Sequence, residues 1–385
     1  TDYQYAATYM VDIHGNMAPS LTTWAREVFV PGLEQGMSDA GFPIFPSVSF
    51  ARWGDPSSGL VAWVSAPRLS EGYTSLRNRP GLLVEVHSRK PYSVRVSATY
   101  EMLKTTLEII NKDRRALSDA IRAADELTAS ADFRREPFPL RFSVDRSDSV
   151  MIDFLGVKSE AVESEISGGT WYRWTGTPDT TRIPYFTKQK ITASADLPEA
   201  YIVPPEWATV IDRLELHGLK MTTLGEPVTL RVDSYRFTKA DWQEEPYEGR
   251  HPLRCEIEPM TEERTYPAGS VVVDMNQPLA RVAAHALEPK GPDSFAGWGF
   301  FDAIFEQKEY ADRDVIEQLA KQMLEDDASL RADLDARMAE DPEFAKSPRR
   351  ILNWFYARTP YWDSQKNVYP VGKITDRKLV DSLQK

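Results

Sequence analysis

The sequence has almost no cysteine, no long apolar segment and no excess of positive charge. Its 385 residues include one cysteine, Cys255, so no internal disulfide can form, although one thiol does not reveal the redox compartment. There is no run of about 18 uncharged apolar residues, which excludes a membrane-spanning helix. Acidic residues outnumber basic ones by 58 to 46, a formal net charge of −12, which argues against a nucleic-acid or anionic-membrane partner.

The composition predicts folded domains rather than a disordered chain. Hydrophobic residues make up 42% of the sequence and ten are tryptophan, and at about 150 residues per domain the length favours two or three domains. The first residue is Thr1, not Met, and the opening TDYQYAATYMVDI is typical of a half-buried strand rather than a signal peptide. We therefore expect the chain to begin inside a larger protein.

Residues 1–112 alternate short apolar runs with helical patterns, which predicts an α/β unit. The apolar run 82–87 (LLVEVH) lies between two loop-like segments and predicts a buried central strand. The segment 94–110 predicts an amphipathic helix whose apolar face packs on the sheet. That face comprises Val96, Tyr100, Leu103, Leu107 and Ile110.

The composition then changes in three steps. Residues 113–136 form a charged helical pattern, which predicts a connector. Residues 137–276 carry short alternating segments separated by Gly, Pro, Asp and Ser, which predicts a β-rich domain, most simply a sandwich. Residues 277–385 return to helical patterns.

Glu85 stands out because it lies inside an apolar strand, where a carboxylate is costly unless paired, protonated or bound to a metal or water. The period of two places it on one face with Leu83 and His87, near the end of the strand, where open α/β sheets place their sites. An ordinary ion pair is equally consistent with this pattern. The nearby partners for such a pair are Arg79, Arg89, Lys90 and Arg95.

Five long strings rich in Trp, Pro and Gly extend over nearly the whole chain. They are PRLSEGYTSLRNRPGLLVEVHSRKPYSVRVSATYEML (67–103), AYIVPPEWATVIDRLELHG (200–218), YEGR (247–250), PAGSVVVDMNQPLARVAAHALEPKGPDSFAGWGFFD (267–302) and NVYPVGK (367–373). Together they resemble a large bacterial branch of the zinc carboxypeptidases, the carboxypeptidase A-like metallopeptidases. The first string resembles the segment around the general-base glutamate of that family.

The resemblance implies hydrolysis of a peptide bond, with Glu85 as the base that takes the proton of a zinc-bound water. It also implies an extracytoplasmic location and a peptide or protein substrate. In the family an Arg or an Asn-Arg pair and a mobile Tyr hold the terminal carboxylate of the substrate, and a planar guanidinium suits that group. The candidates here are Tyr73, Arg68, Asn78 and Arg79, of which the last two lie later in the sequence than the family's pair.

The zinc ligands are incomplete in this sequence. The family uses a His-x-x-Glu motif upstream of the base, and nothing before Glu85 supplies one. The third ligand is a His in an Asp-x-His string, and Asp12 with His14 has that form. However, residues 2–5 resemble the stretch that follows the zinc-binding His, and on that alignment His14 is a loop residue. We favour the second alternative, and we expect this chain alone to be inactive.

A His-x-x-Glu does occur later, at His285 and Glu288. Its i, i+3 spacing suits one side of a zinc ion, but it follows the base instead of preceding it, so we interpret His285 as a histidine on a helix face. Three other histidines, His87, His217 and His251, have no partner at metal-ligand spacing. No nucleophile elbow, phosphate-binding loop or Cys-His pairing is present.

The predicted fold is therefore α/β. We expect the C-terminal part of a carboxypeptidase-like α/β domain, a β-sandwich-like accessory domain and a helical C-terminal region. The predicted function is that of a zinc carboxypeptidase. The alternative is a non-catalytic module that binds peptide or glycan through Trp171, Tyr172 and Trp174, which alternate along a predicted strand. The sequence does not define the oligomeric state.

Overall fold

Strands and helices alternate in the first third of the chain. The computed structural model describes residues 3–52 and 55–384; Thr1 and Asp2, which open the first predicted strand, lie outside the described residues. The elements up to residue 129 are β1 (Ala7–Met10), α1 (Pro19–Trp24), α2 (Val30–Asp39), β2 (Ile44–Pro46), β3 (Phe50–Arg52), β4 (Asp55–Val61), α3 (Ser70–Leu76), β5 (Leu83–Glu85), α4 (Tyr92–Lys112) and α5 (Arg114–Ala129). A π-helical segment, Ala25–Phe29, joins α1 to α2.

The middle of the chain is mainly β. Its elements are β6 (Phe138–Val144), β7 (Val150–Glu163), β8 (Thr170–Phe186), β9 (Gln189–Ala195), β10 (Ala200–Val203), α6 (Ala208–Leu216), β11 (Met221–Thr223), β12 (Val228–Trp242), β13 (Leu253–Tyr266) and β14 (Val271–Asp274). Short 3₁₀ turns cover Ala131–Arg134, Pro205–Trp207 and Asp302–Phe305.

The last third is mainly helical. Its elements are α7 (Ala280–Leu287), α8 (Arg313–Asp326), α9 (Ala328–Glu340), α10 (Pro342–Ala345), α11 (Pro348–Tyr356), β15 (Gly372–Ile374) and α12 (Arg377–Leu383). The fold is thus mixed α/β with a helical C-terminal region, as the sequence predicted. None of the described helices is long and apolar enough to cross a bilayer.

A small sheet in the first unit has the strand order β2-β1-β5. β1 runs parallel to β2 and antiparallel to β5, with Thr8 opposite Glu85. Helices α1 and α2 cover this sheet because Leu21, Leu33 and Met37 recur at helical spacing and are fully buried. The alternation of strands and helices predicted for residues 1–112 is therefore observed in this region.

The expectation of a buried central strand at 82–87 is wrong. β5 has only three residues and lies at the edge of the sheet. Leu83 and Val84 are half-buried, and Glu85 is exposed. The reason is that β5 pairs with β1 on one side, while no strand in residues 3–52 or 55–384 pairs with its other side.

The helix predicted at 94–110 is confirmed as α4, but its predicted buried face is wrong. Val96, Tyr100, Leu103 and Leu107 are at least half exposed, and α4 instead buries Ala98, Met102 and Thr105. Thr105 fits closely against α2, where a Cβ on Gly36 would lie 2.5 Å from Thr105 Cγ2. Close contact between the helices therefore favours the face that has the short Thr105 side chain opposite Gly36.

A six-stranded sheet with the order β11-β14-β10-β15-β12-β13 contains most of the strands that follow residue 199. Along β10, Tyr201 and Val203 belong to one hydrophobic cluster, while Ala200 and Ile202 belong to another, as the period of two requires. The first cluster includes residues of α6 and α7 together with β6 and β9, and the second includes Val380 of α12. Helices thus cover much of both faces, so a simple two-sheet sandwich is not observed.

The sheets connect parts of the chain that the sequence analysis separates. A four-stranded sheet has the order β3-β4-β8-β7, so strands from both sides of the segment 113–136 pair in it. β15, from the C-terminal region, lies between β10 and β12. The domain bounds drawn from composition stay a prediction.

Candidate functional site

A cavity of about 230 Å³ lies where β1 and β2 end. Because the two strands are parallel, their carboxyl ends meet at one edge of the sheet, which is where α/β folds commonly place their sites. Asp12 and His14 follow β1, and Ser47 follows β2. The remaining walls are largely aromatic or aliphatic; they include Tyr9, Ile13, Val30, Trp63 and Tyr185.

Glu85 contacts this cavity through Ser47. The Ser47 hydroxyl donates to Glu85 Oε2 over 3.3 Å, and Ser47 itself lines the cavity. β5 runs antiparallel to β1, so its carboxyl end points away from the edge where β1 and β2 end; only the length of the Glu85 side chain connects them. No lysine or arginine in the described part of the chain forms an ion pair with Glu85, so the ordinary alternative is not observed.

The cavity is acidic and holds little positive charge. Asp12 is buried and accepts a hydrogen bond from Asn16 Nδ2 over 3.2 Å. Burial, together with the nearby Glu71 carboxylate, raises the pKa of Asp12 to about 7. The Tyr9 hydroxyl donates to Glu34 Oε1 over 2.6 Å, and no lysine or arginine among residues 3–52 and 55–384 lines the cavity.

His14 also lines the cavity, in the turn after β1. Burial and the positive charge of Arg26 lower the pKa of His14 to about 4, so its imidazole is neutral near pH 7, the form that binds a metal. However, among residues 3–52 and 55–384 no group of three or more His, Cys, Asp or Glu side chains is placed to hold a metal ion. These residues therefore do not form a zinc site by themselves, and His14 as a ligand stays a prediction.

Tyr73 and Arg68 lie at a second cavity, of about 270 Å³, between α3 and the C-terminal region. The Tyr73 hydroxyl is 2.8 Å from His217 Nδ1 and accepts a hydrogen bond from Arg77 over 3.0 Å. Arg68 forms an ion pair with Asp293. Both side chains are thus held by protein groups, and their role in substrate binding stays a prediction.

Asn78 and Arg79 join the loop after α3 to α5. Asn78 is fully buried in a left-handed conformation, φ 54°, and its Nδ2 lies 3.0 Å from Thr128 Oγ1. Arg79 makes two parallel hydrogen bonds of 3.1 Å to the Asp125 carboxylate. Since the guanidinium already has a bidentate carboxylate partner, a substrate carboxylate would have to displace Asp125.

The late His-x-x-Glu is buried in the C-terminal region. Glu288 Oε1 accepts a hydrogen bond from Tyr201 over 2.7 Å, and Oε2 accepts one from Tyr235 over 2.7 Å. Lys373 Nζ forms an ion pair with Glu288 Oε1 over 2.9 Å. Burial lowers the pKa of His285 to about 3. This arrangement occupies Glu288 with a structural network and agrees with the interpretation of His285 as a helix-face residue.

Sequence reasoning missed Ser47, Glu34 and Tyr185. Ser47 directly follows a strand, and that position is the only local signal that could have indicated it. Glu34 lies on α2 and Tyr185 on β8, and they meet at the cavity only through tertiary packing.

The aromatic residues of the alternative lie on the long β7–β8 hairpin. Trp174 pairs with Ser159 and Tyr172 with Ala161 across the two strands. Trp171 is 49% exposed, while Tyr172 and Trp174 are half-buried. The predicted strand is therefore confirmed, and one of its three aromatic side chains is freely accessible.

Comparison with known proteins gives fungal carboxypeptidases. The chain is 29% identical over 199 residues to the proteins named Carboxypeptidase 2 of Trichophyton tonsurans, Trichophyton equinum and Trichophyton rubrum. Each match covers 49% of this chain and 35% of the relative, so the chain spans about a third of the length of the curated relatives that it matches. No protein-family model and no solved structure matches the chain. The similarity supports a carboxypeptidase family.

Proposed function

We propose that the chain is part of a zinc carboxypeptidase in which Glu85 is the general base. The observation that carries this proposal is the hydrogen bond from Ser47, a residue of the cavity at the ends of β1 and β2, to the exposed Glu85 carboxylate. The carboxypeptidase relatives supply the reaction class. The substrate is a peptide or protein, and the site of action is extracytoplasmic. Membership of the bacterial branch and the position of the chain within a longer protein are part of the same proposal.

The chemistry assigned to these residues is proton transfer. Glu85 takes a proton from the water that attacks the peptide carbonyl and then donates it to the leaving amine. Ser47 orients the carboxylate by its hydrogen bond. The cavity is large enough for one amino-acid side chain and lies beside them. Zinc, the proposed cofactor, has no complete ligand set in the described part of the chain, so its ligands are assigned to residues outside this sequence.

The central test is Glu85→Gln in the longest polypeptide that the gene encodes. Release of the C-terminal amino acid from a peptide, followed by mass spectrometry, should fall at least about 100-fold in kcat with little change in KM, because a positioned general base contributes 10²–10⁴-fold. Glu108→Gln, at an exposed position of α4, is the matched control. Unchanged turnover in the Glu85 variant would remove this residue from the mechanism.

Metal content tests the assignment of the ligands. The 385-residue chain, purified without chelators, should contain far less than one zinc per molecule. Tight, stoichiometric zinc would show that the ligands lie within this sequence and would contradict that part of the proposal.

The exposed Trp171 supports the alternative of a peptide- or glycan-binding module. A His-x-x-Glu in the preceding coding sequence favours the enzyme, and an intact reading frame without one favours the module. In the second case Trp171→Ala should abolish binding of a peptide or oligosaccharide while Glu85→Gln leaves it unchanged.

A further inference from the structure

The cavity at the ends of β1 and β2 has the composition of a site for a cation. Two carboxylates line it: Glu34, which is exposed on α2, and Asp12, which is 3% exposed after β1. No lysine or arginine among residues 3–52 and 55–384 lines the cavity or forms an ion pair with either carboxylate. Arg26 lies outside it and donates to the Ile13 carbonyl. The described part of the protein therefore does not balance the negative charge of the cavity.

One acceptor in the wall of this cavity lacks a donor. Asp12 Oδ2 accepts a hydrogen bond from Asn16 Nδ2 over 3.2 Å, whereas Asp12 Oδ1 is buried without a hydrogen-bond partner in the described part of the chain. A buried carboxylate oxygen without a donor destabilises the fold. A donor on a bound ligand would satisfy it, so this atom indicates an occupant of the cavity rather than an ordinary acidic surface.

Glu34 keeps one carboxylate oxygen for a ligand. Its Oε1 accepts a hydrogen bond from the Tyr9 hydroxyl over 2.6 Å, which holds the side chain at the cavity. Within the described residues no donor bonds to Oε2. The Glu34 charge also acts on another wall, because burial and this charge raise the pKa of Tyr185 to about 12. Glu34 thus presents a fixed and accessible negative charge to the interior of the cavity.

The other walls suit a flexible alkyl chain that ends in a cation. Tyr9, Trp63 and Tyr185 line the cavity with aromatic rings, and Ile13 and Val30 add aliphatic surface. Aromatic faces attract ammonium and guanidinium groups and pack against the methylene groups that carry them. Among protein side chains, lysine and arginine combine a positive charge with such a stem. An anionic side chain would instead meet carboxylates of like charge.

We propose that this cavity binds the side chain of a lysine or arginine at the C-terminus of the substrate, with the cationic end beside the two carboxylates and the aliphatic stem against the aromatic walls. The net charge of −12 also favours the approach of basic peptides. That the bound residue is the one released rests on the proposed function. The binding of an alkyl cation does not, because it requires neither zinc nor Glu85.

The first test measures the binding of simple probes to the 385-residue chain by saturation-transfer NMR at pH 8, in about 0.15 M salt to screen non-specific attraction. n-Butylammonium, which is the lysine side chain without its backbone, should bind with a dissociation constant of about 1–10 mM. 1-Butanol and butanoate, its neutral and anionic counterparts, should bind at least about 10-fold more weakly.

Variants of the two carboxylates show whether the probe occupies this cavity. Glu34→Gln, at an exposed position, should weaken n-butylammonium binding by about 3- to 10-fold, and Glu34→Gln with Asp12→Asn should abolish saturable binding. Both changes keep the shapes of the side chains. Asp39→Asn is the matched control: it removes a charge from the same helix outside the cavity and should leave binding unchanged.

The second test uses the peptidase reaction of the longest polypeptide that the gene encodes. Peptides that end in lysine should be cleaved with at least about 10-fold higher kcat/KM than peptides that end in norleucine, its uncharged counterpart. Glu34→Gln should remove this preference mainly through KM, because it changes side-chain binding, whereas Glu85→Gln should lower kcat for both peptides equally.

The outcomes separate this proposal from the proposed function. Equal binding of n-butylammonium and 1-butanol, no saturable binding, or binding that the carboxylate variants leave unchanged would overturn the cation site. Selective binding by a protein without peptidase activity would support the site and refute the proposed function. An active peptidase without preference for lysine or arginine would do the reverse.

Discussion

The buried network around Glu288 gives the most quantitative prediction. Glu288 is 1% exposed, and its carboxylate accepts hydrogen bonds from Tyr201 and Tyr235. It also forms an ion pair with the ammonium group of Lys373, whose side chain is 10% exposed. Glu288→Gln keeps the size of the side chain but removes the counter-charge of the buried ammonium group. Breaking a buried pair in this way should lower the free energy of unfolding by about 3–5 kcal/mol.

The matched variants form a double-mutant cycle. Lys373→Met should cost a similar amount because it leaves the Glu288 carboxylate uncompensated, while Glu288→Gln combined with Lys373→Met should cost clearly less than the sum of the two single changes. Urea unfolding followed by tryptophan fluorescence gives the energies, and hydrogen exchange in β10 and β15 shows whether the loss is local to the six-stranded sheet. A loss below about 1 kcal/mol for the single variants, or strict additivity in the double variant, would refute the assignment of Glu288 to a structural ion pair.

Two further predictions concern the first unit. The pKa of Asp12 is raised from 3.8 to about 7 in the folded state, so between those values the folded state holds a proton that the unfolded state has released, and stability falls as the pH rises. Asp12→Asn does not titrate, so its free energy of unfolding should rise by about 2–3 kcal/mol relative to that of the wild type between pH 5 and pH 8, measured by urea titration. The control, Asp148→Asn at an exposed position, should show no such trend. A parallel pH dependence of the wild type and Asp12→Asn would contradict the raised pKa. Asn78→Ala should cost about 2–3 kcal/mol, because it removes buried hydrogen bonds to α5 at a left-handed residue. Asn111→Ala is its exposed control, and a loss no larger than that of the control would show that Asn78 is not a structural residue.

Local periodicity predicted where helices and strands lie, but not which of their faces are buried or where a strand lies in its sheet. The helix α4 and the strand around β1 follow from spacing alone. The buried face of α4 could not be predicted in this way, because the face with Val96 and Leu107 and the face with Ala98 and Thr105 both have helical spacing. Which face is buried depends on glycines in α2, about 70 residues earlier in the sequence. Likewise, an apolar run such as the one around Glu85 is typical of both an edge strand and a central strand. Only the order of the strands in the sheet distinguishes the two positions.

The candidate site was predicted in part. Glu85 was singled out because a carboxylate in an apolar run is unusual. The structure connects it to the cavity through Ser47, and its catalytic role stays a prediction. Its contact with Ser47 could not be predicted because the hydrogen bond crosses β1 between two strands that are 38 residues apart in sequence. Asn78 and Arg79 were selected as a pair by chemistry alone, and the sequence did not show that α5 already engages both.

The position of β15 has a consequence for biosynthesis. This strand, residues 372–374, lies in the interior of the six-stranded sheet between β10 and β12. The ribosome makes it after every other strand of this sheet, so β10 and β12 wait with exposed edges until β15 has been synthesised. A premature stop codon or a proteolytic cut ahead of residue 372 would therefore remove an interior strand and divide this sheet in two.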